Sequence, residues 1–219
     1  MKPTKQMVTR EQMQAVIDGG KHLVTRKYDG EFCEHSIGNV TLLCECVRQR
    51  SGAFLTASDR AALERHGGRF YVALTVASVG GVSVLDKPAD WRWSMLQDLA
   101  RRSQLPGIVM PETVSSVEAA FAAGAEGVCA VPWDSLWCFM LCVKQNIIVQ
   151  CRVTGFVAGT QSVTIEDAET KQDLGKIALR GGKCDQVKIG SVIRVEAMGK
   201  TDSGKLRQPN PCSDWLLKL

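Results

Sequence analysis

Lys27 closes an apolar, strand-like run, "HLVTRKY", and is followed at once by Asp29-Gly30. A lysine that only meets solvent needs no such setting. A lysine that attacks an electrophile does, because its amine must lose a proton, and burial or neighbouring cations lower its pKa toward neutrality. Asp29-Gly30 is turn chemistry, and a turn there presents the lysine at the end of a strand. Phosphate-binding loops do not account for it. "MGKTDSGK" contains Gly199-Lys200-Thr201, but Arg194 stands where a Walker loop needs glycine, and no GxGxxG occurs.

Metal chemistry through cysteine or histidine is not indicated. The nine cysteines include no CxxC pair, and His22, His35 and His66 are scattered. Cys44 and Cys46 would point to one face of a strand, but no second pair stands at ligand spacing, so they read as small buried hydrophobes. The odd cysteine count and a polar N-terminus, "MKPTKQMVTREQMQ", predict free thiols in a reducing, cytoplasmic setting. No apolar run reaches the roughly 18 residues of a membrane span. The chain has 219 residues, 45% hydrophobic and 23% charged, which is ordinary globular composition for one large domain or two small ones. A net charge of +4 suits an anionic partner without demanding nucleic acid.

The elements that must position Lys27 follow from periodicity and stop signals. "TREQMQAVIDGG" has Thr9 three residues before Gln12 and a glycine pair after Asp18, which predicts a capped short helix. "HLVTRKY", "FCEHSIG" and "NVTLLCECV" read as strands, with Gly38-Asn39 a hairpin turn between the last two. "TASDRAALERHGG" predicts a helix capped by Ser58, and "RFYVALTVASVGG" a long strand. Helices follow from about Asp90 and over "SSVEAAFAAGAEG", and "GVCAV" is a buried strand. After about residue 147 the helical pattern stops and short β runs take over, "SVTIED", "LGKIAL" and "GSVIRVEAMG". That texture predicts a small closed barrel such as the OB-fold. The expected organisation is α+β: residues 1–146 form antiparallel sheets with helices, and residues 147–219 a small all-β domain.

Lys-x-Asp-Gly is also motif I of the covalent nucleotidyltransferases, and the order of the segments downstream of Lys27 resembles a minimal ATP-dependent DNA ligase over nearly the whole chain. "KYDGEF" looks like motif I, "LLCECV" is similar to motif III with Glu45, and "FYVALTVASVGG" to motif IIIa. "AGAEGVCAV" looks like motif IV with Glu126. "LWCFMLCVKQNIIVQCRVTG" resembles motif V with Lys144, and "IGSVIRVEAMGKTDSGKLRQP" the ligase OB domain. The resemblance implies that Lys27 is adenylylated by ATP, with Thr25, Arg26, Asp29, Gly30, Glu45, Tyr71 and Lys144 around the nucleotide. Glu45 and Glu126 would hold Mg2+, which needs few protein carboxylates, and Lys144 would neutralise phosphate charge. The expected partner is nicked double-stranded DNA, sealed by a monomer in DNA repair or replication. Arg48, Arg50, Lys200, Lys205 and Arg207 are the candidate phosphate contacts, with "ARRSQ" and "DSGKLRQPN" as contact loops.

The sequence departs from the family pattern at four places. Phe32 stands where motif I usually ends in arginine. Leu74-Thr75 occupies the aromatic-aspartate place of motif IIIa, for which Tyr71 or Phe70 would have to substitute. Cys142 or Met140 replaces the first lysine of motif V. Of motif VI only Arg207 and Lys218 remain. Two alternatives stay open: an RNA ligase or capping-type transferase on the same scaffold, and a nucleic-acid-binding protein with an inactive nucleotide pocket.

Overall fold

The computed structural model describes residues 2–50, 53–102, 107–201 and 203–217. Lys218, Asp202 of "DSGKLRQPN" and the Ser103-Gln104 end of "ARRSQ" lie outside the described residues. The chain divides into two compact units, Met1–Lys144 and Gln145–Leu219, where the sequence reading places the division after Asn146.

The first unit holds β1 (Thr4–Met7), α1 (Arg10–Asp18), β2 (His22–Lys27), β3 (Glu31–Ile37), β4 (Val40–Arg48), α2 (Ala57–Arg65) and β5 (Arg69–Val79). It continues with β6 (Val82–Ser83), α3 (Ala89–Arg101), β7 (Ile108–Val109), α4 (Val117–Ala122), β8 (Gly127–Pro132) and β9 (Phe139–Lys144). Two sheets carry it, one in the order β1-β9-β8-β2, the other in the order β3-β4-β5-β6 with β7 also on β5. The sheets are not wholly antiparallel as expected: β1 runs parallel to β9, and β7 parallel to β5. Both β1 and β7 are short segments added to sheet edges, too brief for alternation to declare their partners.

Helices α1 and α4 pack Met13, Val117, Ala120 and Phe121 on the first sheet, against Val24, Val128, Ala130 and Val143. Leu96 of α3 packs on the second sheet against Leu42, Cys44, Ala73 and Val76. The remaining faces of the sheets meet through Leu43, Ala77, Trp137, Met140 and Cys142.

Local signals explain the helix starts. Thr9 accepts from the Gln12 N–H at 3.2 Å, and the Gln12 side chain accepts from the Thr9 N–H at 2.9 Å, which is the capping box expected for α1. The cap of α2 is Thr56 rather than the expected Ser58. Thr56 and Asp59 form the reciprocal pair, while the Ser58 hydroxyl donates to Glu112 at 2.7 Å. This start turns Asp59 inward, where both carboxylate oxygens receive the Arg26 guanidinium at 2.6 and 2.7 Å. Both side chains are only 4% exposed, so the pair ties β2 to α2 in a place water does not reach.

The second unit holds β10 (Ile147–Val157), β11 (Ser162–Asp167), β12 (Asp173–Ala178), β13 (Val192–Ala197) and β14 (Asn210–Leu216). Its sheet order is β12-β11-β10-β13-β14, antiparallel throughout. Alternate residues of these strands, among them Cys151, Val153, Val163, Ile165, Ile193 and Val195, share one core with Leu174, Leu179 and Trp215. The expected closed barrel is not completed by a strand pair among the described residues, because β12 and β14 stand at opposite ends of the order.

Removing one partner of a buried ion pair leaves the other charge uncompensated, at a cost of about 3–5 kcal/mol. Glu112, half exposed and 3.3 Å from Arg26 Nε, stays as a partial partner, so Asp59→Ala is expected to lower the stability of the first unit by about 3 kcal/mol, the lower end of that range, read from the denaturant midpoint. A loss below about 1 kcal/mol, the scale of an exposed pair, would contradict the buried-clamp reading.

Candidate active site

Lys27 is the last residue of β2, and the two-residue period of the strand decides what surrounds it. Leu23, Thr25 and Lys27 face a cavity of about 570 Å³ between the two sheets. Val24 points the other way, into the helix-covered core, and Arg26 shares its parity. In β8 the paired residues alternate in step, so Cys129 and Val131 line the cavity beside Thr25 and Leu23. Opposite Lys27 in β8 is Gly127, and opposite Gly127 in β9 is Lys144. The two lysines thus share one row, with a residue lacking a side chain between them. A Cβ at Gly127 would run into the Val143 carbonyl oxygen, so glycine is required there.

Glu126 precedes that glycine and is buried. Its Oε2 lies 2.5 Å from Lys27 Nζ and its Oε1 3.6 Å from Lys144 Nζ. Burial alone would lower the Lys27 pKa, but the Glu126 carboxylate outweighs it and holds the ammonium above the ordinary lysine range. The sequence-based expectation of a lysine pKa lowered toward neutrality is therefore reversed in this state, because a buried anion rather than a cation is the nearest charge. With the pKa raised, the pair stabilises the fold at neutral pH and that contribution is lost as pH rises past the lysine range.

Glu45, on β4, lines the cavity from the second sheet. Burial pushes its carboxyl above the ordinary carboxylate range, against the pull of Lys27 and Lys5. Phe32 lies directly across from it in β3 and shares that face. Gly30 makes the approach possible, since a Cβ there would lie 2.7 Å from Glu45 Cγ and from the Cys46 carbonyl oxygen. The apolar wall is completed by Leu74, Trp137 and Met140. A cavity of this size accepts a small molecule of nucleotide dimensions.

Other sequence-predicted residues stand elsewhere. Tyr71 is not on the cavity wall. It pairs with Cys46, one residue out of phase with Glu45, and so lies on the opposite face of the sheet, stacked on His35 at 4.4 Å. Leu74 takes the wall position instead. Arg26 contributes to the lining, but its guanidinium is held by Asp59 and Thr56 on the far side of β2. Asp29 is buried and braces the loop after β4, accepting from the Phe54 N–H at 2.9 Å and pairing with Arg50. Arg48 pairs with Glu31 at 2.6 Å, both exposed. Arg50 and Arg48 therefore already hold acidic partners. In the second unit, Lys200 donates to Gln172 at 3.2 Å, Lys205 pairs with Asp173, and Arg207 lies on the same β13–β14 connection.

Residues missed in the sequence complete the wall. Lys5 of β1 enters through the parallel pairing of Lys5 with Met140, and Lys2 lies over the Phe32 ring at 5.4 Å. Tyr28 is buried, with its ring under the Arg26 guanidinium at 4.0 Å, and its hydroxyl accepts from the Glu112 N–H at 2.9 Å. This fixes the connection that brings Pro111 to the cavity. Among the described residues no three His, Cys, Asp or Glu side chains are grouped to hold a metal. Glu45 and Glu126 offer two carboxylates within each other's field, a donor set that fits Mg2+, which takes one or two carboxylates plus phosphate oxygens and water.

No family model matches the sequence, and no curated protein sequence matches it. Solved structures match the fold. A Lig E DNA ligase, described as binding DNA with a minimal scaffold, has a TM-score of 0.65 at 16% identity, covering 88% of this chain and 91% of that one. The ligase domain of LigD from M. tuberculosis has a TM-score of 0.52 at 15% identity, covering 99% and 95%. A mycobacterial DNA ligase D complexed with ATP has a TM-score of 0.51 at 16% identity, covering 99% and 94%. The resemblance read from the motif order is thus met at the level of the fold: a sheet-rich α+β chain arranged as in these DNA ligases.

The Lys27–Glu126 contact gives an expectation that depends on no assigned activity. In Glu126→Gln the burial penalty remains while the opposing charge is gone, so the Lys27 pKa falls. Reaction of Lys27 with an amine-selective reagent, followed by peptide mapping across pH, is expected to rise at lower pH than in the unsubstituted protein. An unmoved profile would show that Glu126 does not hold the proton.

Proposed function

We propose that the chain is an ATP-dependent DNA ligase that seals nicks between a 5′-phosphate and a 3′-hydroxyl through a lysyl-AMP intermediate on Lys27. The observation that carries this is the placement of Lys27: partly buried, at a strand end, on the wall of a nucleotide-sized cavity, within a fold shared with DNA ligases. One of those structures was solved with ATP.

In this reading each step has a group to serve it. Lys27 attacks only as the free amine, so the contact with Glu126 is the resting state and must loosen first. The amine nitrogen then forms a bond to the α-phosphorus of ATP, and the bond to pyrophosphate breaks. The DNA 5′-phosphate next attacks the same phosphorus, and Lys27 leaves as the amine. The 3′-hydroxyl finally attacks the DNA 5′-phosphorus and releases AMP. Lys144, two strands from Lys27, offsets negative charge on the phosphates throughout. Mg2+ held by Glu45 and Glu126 would supply the same charge neutralisation at the leaving group. Thr25 and Gly30 bound the space beside the amine, and Leu74, Phe32 and Trp137 offer the apolar wall for a base.

The second unit is read as an OB-fold, supported by its five antiparallel strands around one core. Lys200, Lys205 and Arg207 cluster on its β13–β14 connection and supply DNA phosphate contacts, Lys205 by exchanging Asp173 for phosphate. Arg48 and Arg50 join them only by exchanging Glu31 and Asp29 for phosphate. The protein acts as a monomer in this reading.

Incubation with radiolabelled ATP and Mg2+ is expected to label the protein covalently, and Lys27→Ala to remove the label while leaving the fold intact. The same variant should still seal a nick that is already adenylylated, because that step no longer needs the nucleophile. Retained labelling in a folded Lys27→Ala protein would end the assignment. Each phosphate contact removed lowers the slope of log K against log salt by about one. Arg207→Ala is therefore expected to weaken nick binding and flatten that slope by about one unit. An unchanged slope would remove Arg207 from the interface.

A further inference from the structure

Two cysteines the proposed reaction does not use sit beside Lys27. Cys129 of β8 and Cys142 of β9 are direct cross-strand partners, and their Sγ atoms are 3.1 Å apart. The row they occupy, Thr25–Cys129–Cys142, runs alongside the Lys27–Gly127–Lys144 row on the same face of the sheet. Cys129 is half-buried and lines the cavity, whereas Cys142 is fully buried behind it.

The geometry points to Cys129 and Cys142 as a modification site: a dithiol in the cavity wall that a hydroperoxide-class oxidant converts to a disulfide. Directly opposed residues of an antiparallel pair have Cα atoms about 4.5–5.5 Å apart. That is within the roughly 4.4–6.8 Å that a disulfide spans, so the bond closes without moving the strands. The oxidant reaches Cys129 through the cavity. Oxygen transfer from hydrogen peroxide to one sulfur gives a sulfenic acid and one water. Attack by the partner sulfur then forms the S–S bond and expels the second water, so two thiols and one peroxide become one disulfide and two waters.

The charges around the pair favour this chemistry. The contact with Cys129, aided by Lys5, Lys27 and Lys144, lowers the Cys142 pKa against the effect of burial, and the same contact raises that of Cys129. Of the two, Cys142 is the one whose pKa is lowered, and it would attack a Cys129 sulfenic acid from behind the cavity wall. Among the described residues of the first unit, the other directly opposed pair is Cys33 and Cys44 across β3 and β4, which lies on the face turned from the cavity. A compound that fills the cavity beside Cys129 bars the oxidant's path to it, so its occupancy slows the closing of the disulfide. For ATP as that compound, the inference rests on the proposed function.

The full chain, reduced and then treated with hydrogen peroxide, is alkylated and mapped by mass spectrometry. The expected result is loss of two alkylatable thiols per chain and a peptide cross-linked through Cys129 and Cys142, absent in Cys129→Ser and in Cys142→Ala. Retained thiols, or a cross-link that maps to Cys33 and Cys44 instead, would overturn the proposal. Closure is then timed with ATP at about ten times its separately measured Kd, where only the empty fraction reacts and the rate should fall about tenfold. ATP that binds without slowing closure would overturn the placement of the pair in the nucleotide's wall. ATP that does not bind, with the Cys129–Cys142 disulfide still forming, would sink the proposed function and uphold the dithiol site.

Discussion

The contact between the Lys27 ammonium and the Glu126 carboxylate is the constraint around which the first unit is organised. Both groups are largely removed from water, and an isolated charge in that position would be costly. Each therefore needs the other, and the fold must deliver both to one point. It does so through adjacent strands: β2 ends at Lys27, β8 begins just after Glu126, and the register sets Lys27 opposite Gly127. Glycine at that place lets β9 come close and lets Lys144 join from the next strand.

The rest of the unit holds these strand ends still. The Arg26–Asp59 clamp fixes β2 against α2 from the side away from the cavity. Tyr28 packs under Arg26 and holds the Glu112 backbone, so the residues on either side of Lys27 in sequence are both immobilised. In the proposed reaction, neighbours held in this way would keep the Lys27 amine within the narrow range of positions from which attack is productive. The Glu126 carboxylate is the charge that holds the Lys27 proton against burial.

Much of this was legible in the sequence, and the failures have physical causes. The capping box of α1 and the hairpin at Gly38-Asn39 depend on local side-chain and backbone chemistry, which sequence carries directly; Gly38 takes φ 58° there. Lys27 and Glu45 were legible as cavity residues because motif order and strand alternation agree. Tyr71 was misplaced because its face depends on the register between β4 and β5, and β-bulges near Leu42 and Cys44 make that register unreadable from one strand. Arg26 directly precedes the motif and Asp29 lies inside it, yet both brace the structure behind the lysine, a role that motif position does not reveal. Lys5, and the meeting of Cys129 with Cys142, depend on pairings between segments far apart in sequence. No local pattern announces such pairings.

The proposed adenylyl transfer turns on Lys27 Nζ being the atom that receives AMP. Mass spectrometry of the intact protein after incubation with ATP and Mg2+, with peptide mapping under conditions that preserve a phosphoramide, tests it most directly. The predicted result is a single adenylyl group per chain, carried on Lys27 and discharged by pyrophosphate. No adduct on a protein that binds ATP, or an adduct mapped to Lys144 or another residue, would contradict it.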